Sequence, residues 1–446
     1  MALADEVSVP VERNDRSIVG FTMVGHGLVH TYELSIPILM TIWLLEFSVT
    51  TAVLGGAVTV GYALFGAGAL PGGLLADRYG SRPLICACLA GMGLSFAALA
   101  LVPGIASLTA VLACWGIAAS VYHPAGLALI SNGVHERGLG FAYHGMAGSV
   151  GIAAGPLATA LLLLAFDWRT VAVVLAVPAL VAAAVGWFLR FDEFAAVEAG
   201  EREWNPRADA PDDSARGDSS TSPLSERLRR SAGALAGDLR RLFTPAFLTV
   251  IVLATFVGLY YRGLLTFLPD VLGDFLEAAV GDPQLFDPES PLADEFDLAQ
   301  YLYVGLLTVG IAGQYVGGRL SDAIEPDRGL VGVLCLLVVI SLAFVPAANA
   351  GLLPLLALSA VLGFALFGMQ PLEQATIAKY SNPETRGLSF GVVYLALFGV
   401  GALGATVVGV ALTVSVLAAF VVLAGFASVA AALGLSLRRR VDAGRG

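Results

Sequence analysis

Three side chains able to carry a proton or hold an ion lie close together early in this 446-residue chain: His26, His30 and Glu33. Intervals of four and three residues place all of them on one face of a helix. Histidine changes charge near neutral pH, and a buried carboxyl titrates closer to that range than an exposed one. Glu33, with His30 or His26, is therefore the expected carrier of a proton. Arg262, in the second half of the chain, is the expected attractor of an anionic group. His123 and Gln370 form a further polar pair, one in each half, and Tyr32, Tyr122, Tyr260, Tyr261 and Gln374 supply more polar groups. The plainer readings are a neutral interhelical hydrogen bond for each histidine, a permanent pair between Arg262 and Glu33, and anchoring roles for the tyrosines.

Those residues matter because of where the chain must put them. Hydrophobic residues make up 57% and charged residues 13%, with a mean hydropathy of +0.81, far from a soluble domain. Twelve apolar runs are each about long enough to cross a bilayer: 17–42, 49–75, 83–102, 107–133, 138–165, 168–190, 245–271, 299–320, 329–346, 352–378, 387–411 and 414–437. An ionisable group inside such a run costs about 2.5–3.5 kcal/mol at mid-bilayer unless it faces a cavity or a partner. No charged n-region and cleavage site precede the first run, so it is expected to be retained. Of the 24 Lys and Arg, all but Arg169 and Arg262 fall on one side if both termini are cytoplasmic. That is the positive-inside pattern, and it predicts a multi-pass protein of the cell (plasma) membrane with cytoplasmic N- and C-termini.

The net charge of −11 arises mainly in exposed parts, above all 274–297, with eight acids and no base, and 191–243. It therefore does not point to a cationic substrate. Cys86, Cys88, Cys114 and Cys335 all fall in apolar runs without zinc-type spacing, so neither disulfide nor metal is indicated. A polar tail to about Arg16, a Pro- and Ser-rich linker and a basic stretch at 227–241 complete the polar parts. The expected domains are 1–190, a cytoplasmic central loop 191–243, and 244–446.

The two halves repeat each other. Gly72-Gly73-Leu74-Leu75-Ala76-Asp77-Arg78-Tyr79-Gly80-Ser81-Arg82 recurs in shortened form as Gly317-Gly318-Arg319-Leu320-Ser321-Asp322. Tyr122-His123-Pro124 is echoed by Met369-Gln370-Pro371, and Arg137-Gly138-Leu139 by Arg386-Gly387-Leu388. His30 and Pro37 align with Arg262 and Pro269. A carboxylate at Asp77 or Asp322 can accept bonds from the free amides of a helix start. Gly151 and Gly155 are spaced for close helix packing, and Pro156 adds a bend.

On these motifs the chain resembles the major facilitator superfamily along nearly its whole length: Gly73, Leu75, Asp77, Arg78, Gly80 and Arg82 match one signature, Gly318, Leu320 and Asp322 its counterpart, and Gly151–Pro156 a third pattern. The resemblance implies an all-α membrane protein with 12 transmembrane helices in two pseudo-symmetric six-helix bundles. It also implies that segments 1, 4, 7 and 10 line a central cavity. Asp77 would reach the start of segment 11 near Gly387, Asp322 the start of segment 5 near Gly138, with Arg386 in the same gating group; a local loop cap is the alternative. Tyr122-His123-Pro124 and His144-Gly145 faintly resemble fosmidomycin-resistance-type exporters, and the helix-5 glycines accompany export in some members. The segment-4 Arg of many drug antiporters and the paired Arg of nitrate carriers are missing, so coupling would run through the first segment, or through Na⁺.

The expectation is a secondary active transporter of a small organic solute working by alternating access, with proton-coupled efflux ahead of uptake symport of an organic anion or sugar. A non-transporting membrane sensor is the rival of a different class. No enzyme, cofactor, metal or nucleic-acid partner is expected, and a monomer is. Glu373 and His144 are expected nearer the cytoplasmic side, in water.

Overall fold

The computed structural model describes residues 11–197, 242–280 and 298–444, all helical or connecting, with no strand among them. The basic stretch at 227–241 and most of the acidic segment lie outside these residues. The first half contains α1 (Val11–Glu46), α2 (Thr51–Ala67), α3 (Ala69–Tyr79), α4 (Ser81–Leu99), α5 (Ile105–Ser120), α6 (Tyr122–Gly133), α7 (Arg137–Leu163) and α8 (Trp168–Phe188). The second contains α9 (Pro245–Val280), α10 (Leu298–Ala323), α11 (Pro326–Asn349), α12 (Leu352–Tyr380), α13 (Arg386–Tyr394), a π-helical stretch at Leu395–Val400, α14 (Leu403–Leu412) and α15 (Val416–Gly444).

Among the described residues nine helices are long and apolar enough to cross a bilayer, and the pair α2–α3, bent by 43°, makes a tenth. The two remaining segments run in α1 and α10. Both carry polar side chains within the apolar run, His26, His30 and Glu33 in one and Gln314 in the other.

Several boundaries differ from the apolar runs. The chain is already helical from Val11, because the side chain of Asn14 donates to the carbonyls of Gly133 (3.0 Å) and Asp192 (3.1 Å), docking a polar turn on the end of α6. Segment 2 turns at Gly68, where a Cβ would overlap Ser120. Segment 4 is interrupted at Val121, next to Pro124, whose nitrogen has no proton to donate. α9 continues nine residues beyond the apolar run that ends at 271.

The chain clusters into two compact units: Met1–His135, Val150–Leu248 and Ile377–Val392 form one; Glu136–Ser149, Thr249–Thr376 and Val393–Gly446 the other. In the first, α4 lies along α8 and α5, α2 along α5, and α1 against α6 and α8. In the second, α11 lies along α15, pairing the third and sixth segments of that half as α4 and α8 do in the other. Phe344 and Phe420 stack in that seam at 4.4 Å, and Tyr32 meets Phe96 edge-on at 4.4 Å in the first unit.

Many large apolar side chains point outward, among them Leu94, Val181, Val185, Trp187, Val339 and Val410. So much exposed hydrocarbon suits lipid, not water. By contrast every residue of α6 except His123 is buried, and residues 365–369 and 375–378 of α12 are buried without a break. A helix packed on all sides belongs to the interior of its unit.

Candidate functional site

In the first unit the proton-capable side chains form a connected chain. His30 Nδ1 lies 2.7 Å from Glu33 Oε2, and His30 Nε2 lies 3.0 Å from His26 Nε2. The rings of His26 and His30 are 4.7 Å apart, and His123 of α6 stands edge-on to both, at 5.2 and 5.5 Å. His26 is buried, while the side chains of His30 and Glu33 remain 18% and 22% exposed, enough to reach a ligand. The side-chain partner of the Glu33 carboxyl here is His30.

Backbone packing sets the rotation of α1 that aims these groups. A Cβ on Gly151 would overlap the Gly27 carbonyl, and one on Gly155 would lie 2.6 Å from the Thr31 oxygen. Segment 5 therefore presses on the face of α1 bearing Gly27 and Thr31, one residue past each histidine. The imidazoles turn toward α6 as a result. Ser35 and Thr159 close the same seam with a 2.7 Å bond above Pro156. Tyr122 stacks on His26 at 5.8 Å and donates to the Thr22 carbonyl; it is fully buried and props α1 against α6. Tyr62 donates to the Glu33 backbone carbonyl at 2.7 Å.

In the second unit Arg262 is exposed on α9, its guanidinium 5.4 Å from the centre of the Phe398 ring. Gln370 Oε1 accepts from Gln314 Nε2 at 3.0 Å, and Tyr261 meets Phe367 edge-on at 6.4 Å. Arg262 and the histidine cluster thus belong to different units.

Glu373 and His144 correct an expectation. Both are buried, at 6% and 0% exposure, because the helices carrying them are packed on several sides at that level. Glu373 Oε1 has no hydrogen-bond partner among the described residues, and Tyr394 is a near neighbour of its carboxyl. Sequence reasoning passed over Gln314, which is 1% exposed; its signal was a lone amide in an apolar run.

The repeated acids make matching contacts. Asp77 accepts from the amides of Gly387 and Leu388, both at 2.7 Å, and Asp322 from those of Gly138 (2.7 Å) and Leu139 (2.8 Å). Each Asp stands in the last turn of its own helix, α3 or α10, where the dipole disfavours an anion. Each is offset by the free N–H groups at the start of another helix. Glycines permit the approach: a Cβ on Gly73 would overlap the Gly387 carbonyl, and one on Gly318 would lie 2.5 Å from that of Gly138.

Arg386 is buried and donates to the Ser131 carbonyl (3.1 Å), Asn132 Oδ1 (2.5 Å) and the Ala378 carbonyl (3.3 Å), tying α13 to the end of α6. Arg78 is exposed over Tyr79. Gly80 takes φ 86°, and the following helix start is held by Glu193, which accepts from the Ser81 amide at 2.8 Å. Arg82 donates to the Leu189 carbonyl at 2.5 Å. Glu193 was another residue missed, since nothing in the linker's composition marks it.

Comparison with known proteins agrees with this architecture. The model of the family described as Major Facilitator Superfamily matches residues 22–279 and 288–446. Among curated proteins nothing matches. Solved structures similar in fold include the transporter FucP in an outward conformation, 14% identical, TM-score 0.66, covering 95% of this chain and 99% of that one. The proton:xylose symporter XylE is 14% identical with TM-score 0.63, covering 96% and 95%. The human organic anion transporter MFSD10 is 21% identical with TM-score 0.58, covering 96% and 100%. With a family match over most of its length and twelve helical segments in a repeated arrangement, this chain belongs to the Major Facilitator Superfamily of secondary transporters.

Proposed function

We propose that the protein moves a small organic solute across the plasma membrane by alternating access, coupled to protons and most readily in the direction of efflux. The observation that carries the coupling is the linked chain Glu33–His30–His26, two bonds of 2.7 and 3.0 Å within one helix, beside His123. A proton can pass along such a hydrogen-bonded chain from carboxylate to imidazole, and its presence or absence alters the charge the site offers a solute. Arg262 supplies a cation for an anionic part of the solute, with Gln370 and Tyr261 as polar neighbours in its unit. The paired clasps of Asp77 and Asp322 act as cytoplasmic gates that form in one state and release in the other; their repetition in both halves supports that role. Cytoplasmic termini follow from the distribution of basic residues, and the protein works as a monomer.

Efflux rests on the helix-5 glycine pattern and the faint likeness to fosmidomycin-resistance-type exporters. Uptake symport is the second reading, favoured by the structural likeness to a proton:xylose symporter. A sensor that binds without turnover would have no need of a clasp in each half. Flux measured in proteoliposomes with a pH gradient imposed in either direction separates the three. Proton-driven expulsion supports the proposal, proton-driven accumulation supports symport, and no flux of any compound in a broad panel supports the sensor.

A further inference from the structure

We propose that His26, His30 and His123 form a binding site for one divalent transition-metal ion of the Zn²⁺ type. The ligand nitrogens of the three imidazoles all lie within 4.8 Å of one another. His26 Nε2 and His30 Nε2 are 3.0 Å apart, close to the edge of a tetrahedron of nitrogens at about 2.0–2.1 Å from zinc. His123 needs only a side-chain swing to complete a three-nitrogen face. It is the one residue of α6 that is not buried, so the swing has room.

The support around the cluster is the kind a metal site requires. Glu33 Oε2, 2.7 Å from His30 Nδ1, accepts a hydrogen bond in the tautomer that keeps the proton on Nδ1 and leaves the Nε2 lone pair facing His26. A carboxylate behind a ligating histidine fixes its tautomer and orientation. Tyr122, stacked on His26, and Phe65, edge-on to His123 at 5.8 Å, hold the rings in place. Three imidazoles suit Zn²⁺, Co²⁺, Ni²⁺ or Cu²⁺ over Mg²⁺ or Ca²⁺, which take oxygen ligands. A fourth position stays open for water or for an anionic solute. No ligand spacing is visible along the chain because the third ligand comes from a different segment.

This inference stands apart from proton coupling, which is read by flux. The test is equilibrium binding to full-length protein purified without a polyhistidine tag, stripped with chelator and titrated with Co²⁺ and then Zn²⁺. The expected result is one ion per chain, the intense visible bands of four-coordinate Co²⁺, and their loss when Zn²⁺ displaces it. H26Q and H123Q should each weaken binding at least a hundredfold, E33Q ten- to a hundredfold, and H135Q, at an exposed histidine outside the cluster, should change nothing. A Zn²⁺-dependent rise in melting temperature should be present in the wild type and absent in H26Q. Wild-type protein that binds no stoichiometric ion, or binding unchanged in both H26Q and H123Q, overturns the proposal.

Discussion

Glu33 of α1 and Tyr122 of α6 both border the histidine cluster, yet they are bound there in different ways. Tyr122 spends its hydroxyl on a backbone carbonyl of α1, whereas Glu33 spends its carboxylate on a titratable ring. Tyr122→Phe should therefore lower thermal stability by about 0.5–1.5 kcal/mol, the worth of one hydrogen bond, and leave the proton dependence of flux intact. A melting curve beside a flux-versus-pH profile checks both halves of that statement. Arg262→Gln should raise the half-saturating concentration of anionic solutes several-fold while leaving neutral ones unchanged, read from concentration series across a panel. His26, His30 and Glu33 were legible as a group because helical periodicity alone puts them on one face. Glu373 was misjudged because sequence shows which segment a residue occupies but not how many neighbours cover it.

At the scale of helices, the acids of the repeated motif are bound by charge-assisted bonds to paired amides. Asp77→Asn keeps the shape and loses the charge, so the clasp should weaken by about 1.5–3 kcal/mol. That is a tenfold or larger shift in any equilibrium it controls. Transport should collapse while membrane insertion and melting stay near wild type, and Asp322→Asn should behave alike; normal flux in both would remove the gating role. Gly151→Leu acts through packing. It forces α7 off α1 beside the histidines and should destabilise by about 1–3 kcal/mol, seen as a lowered melting temperature. The duplication made the motifs readable, since a pattern that recurs across hundreds of residues stands out from composition. The bend at Gly68, the early start of α1 and the capping by Glu193 were not readable. Each depends on one contact with a distant part of the chain, Ser120, Gly133 or the Ser81 amide, and leaves no local trace.

For the molecule as a whole, twelve apolar runs predicted the helices that formed because in lipid every backbone group must be satisfied within its own segment. Hydropathy reads that constraint directly. Function is less directly written, since membership of a transporter family does not name the solute. In the mechanism proposed here, a solute crosses in exchange with protons held by the Glu33–His30–His26 chain. Its most direct test is solute flux in proteoliposomes with and without an imposed pH gradient, on wild type and on Glu33→Gln. The expected result is gradient-driven transport in the wild type, and in Glu33→Gln a loss of that drive with downhill exchange retained. Gradient-driven transport by Glu33→Gln at the wild-type rate would contradict it.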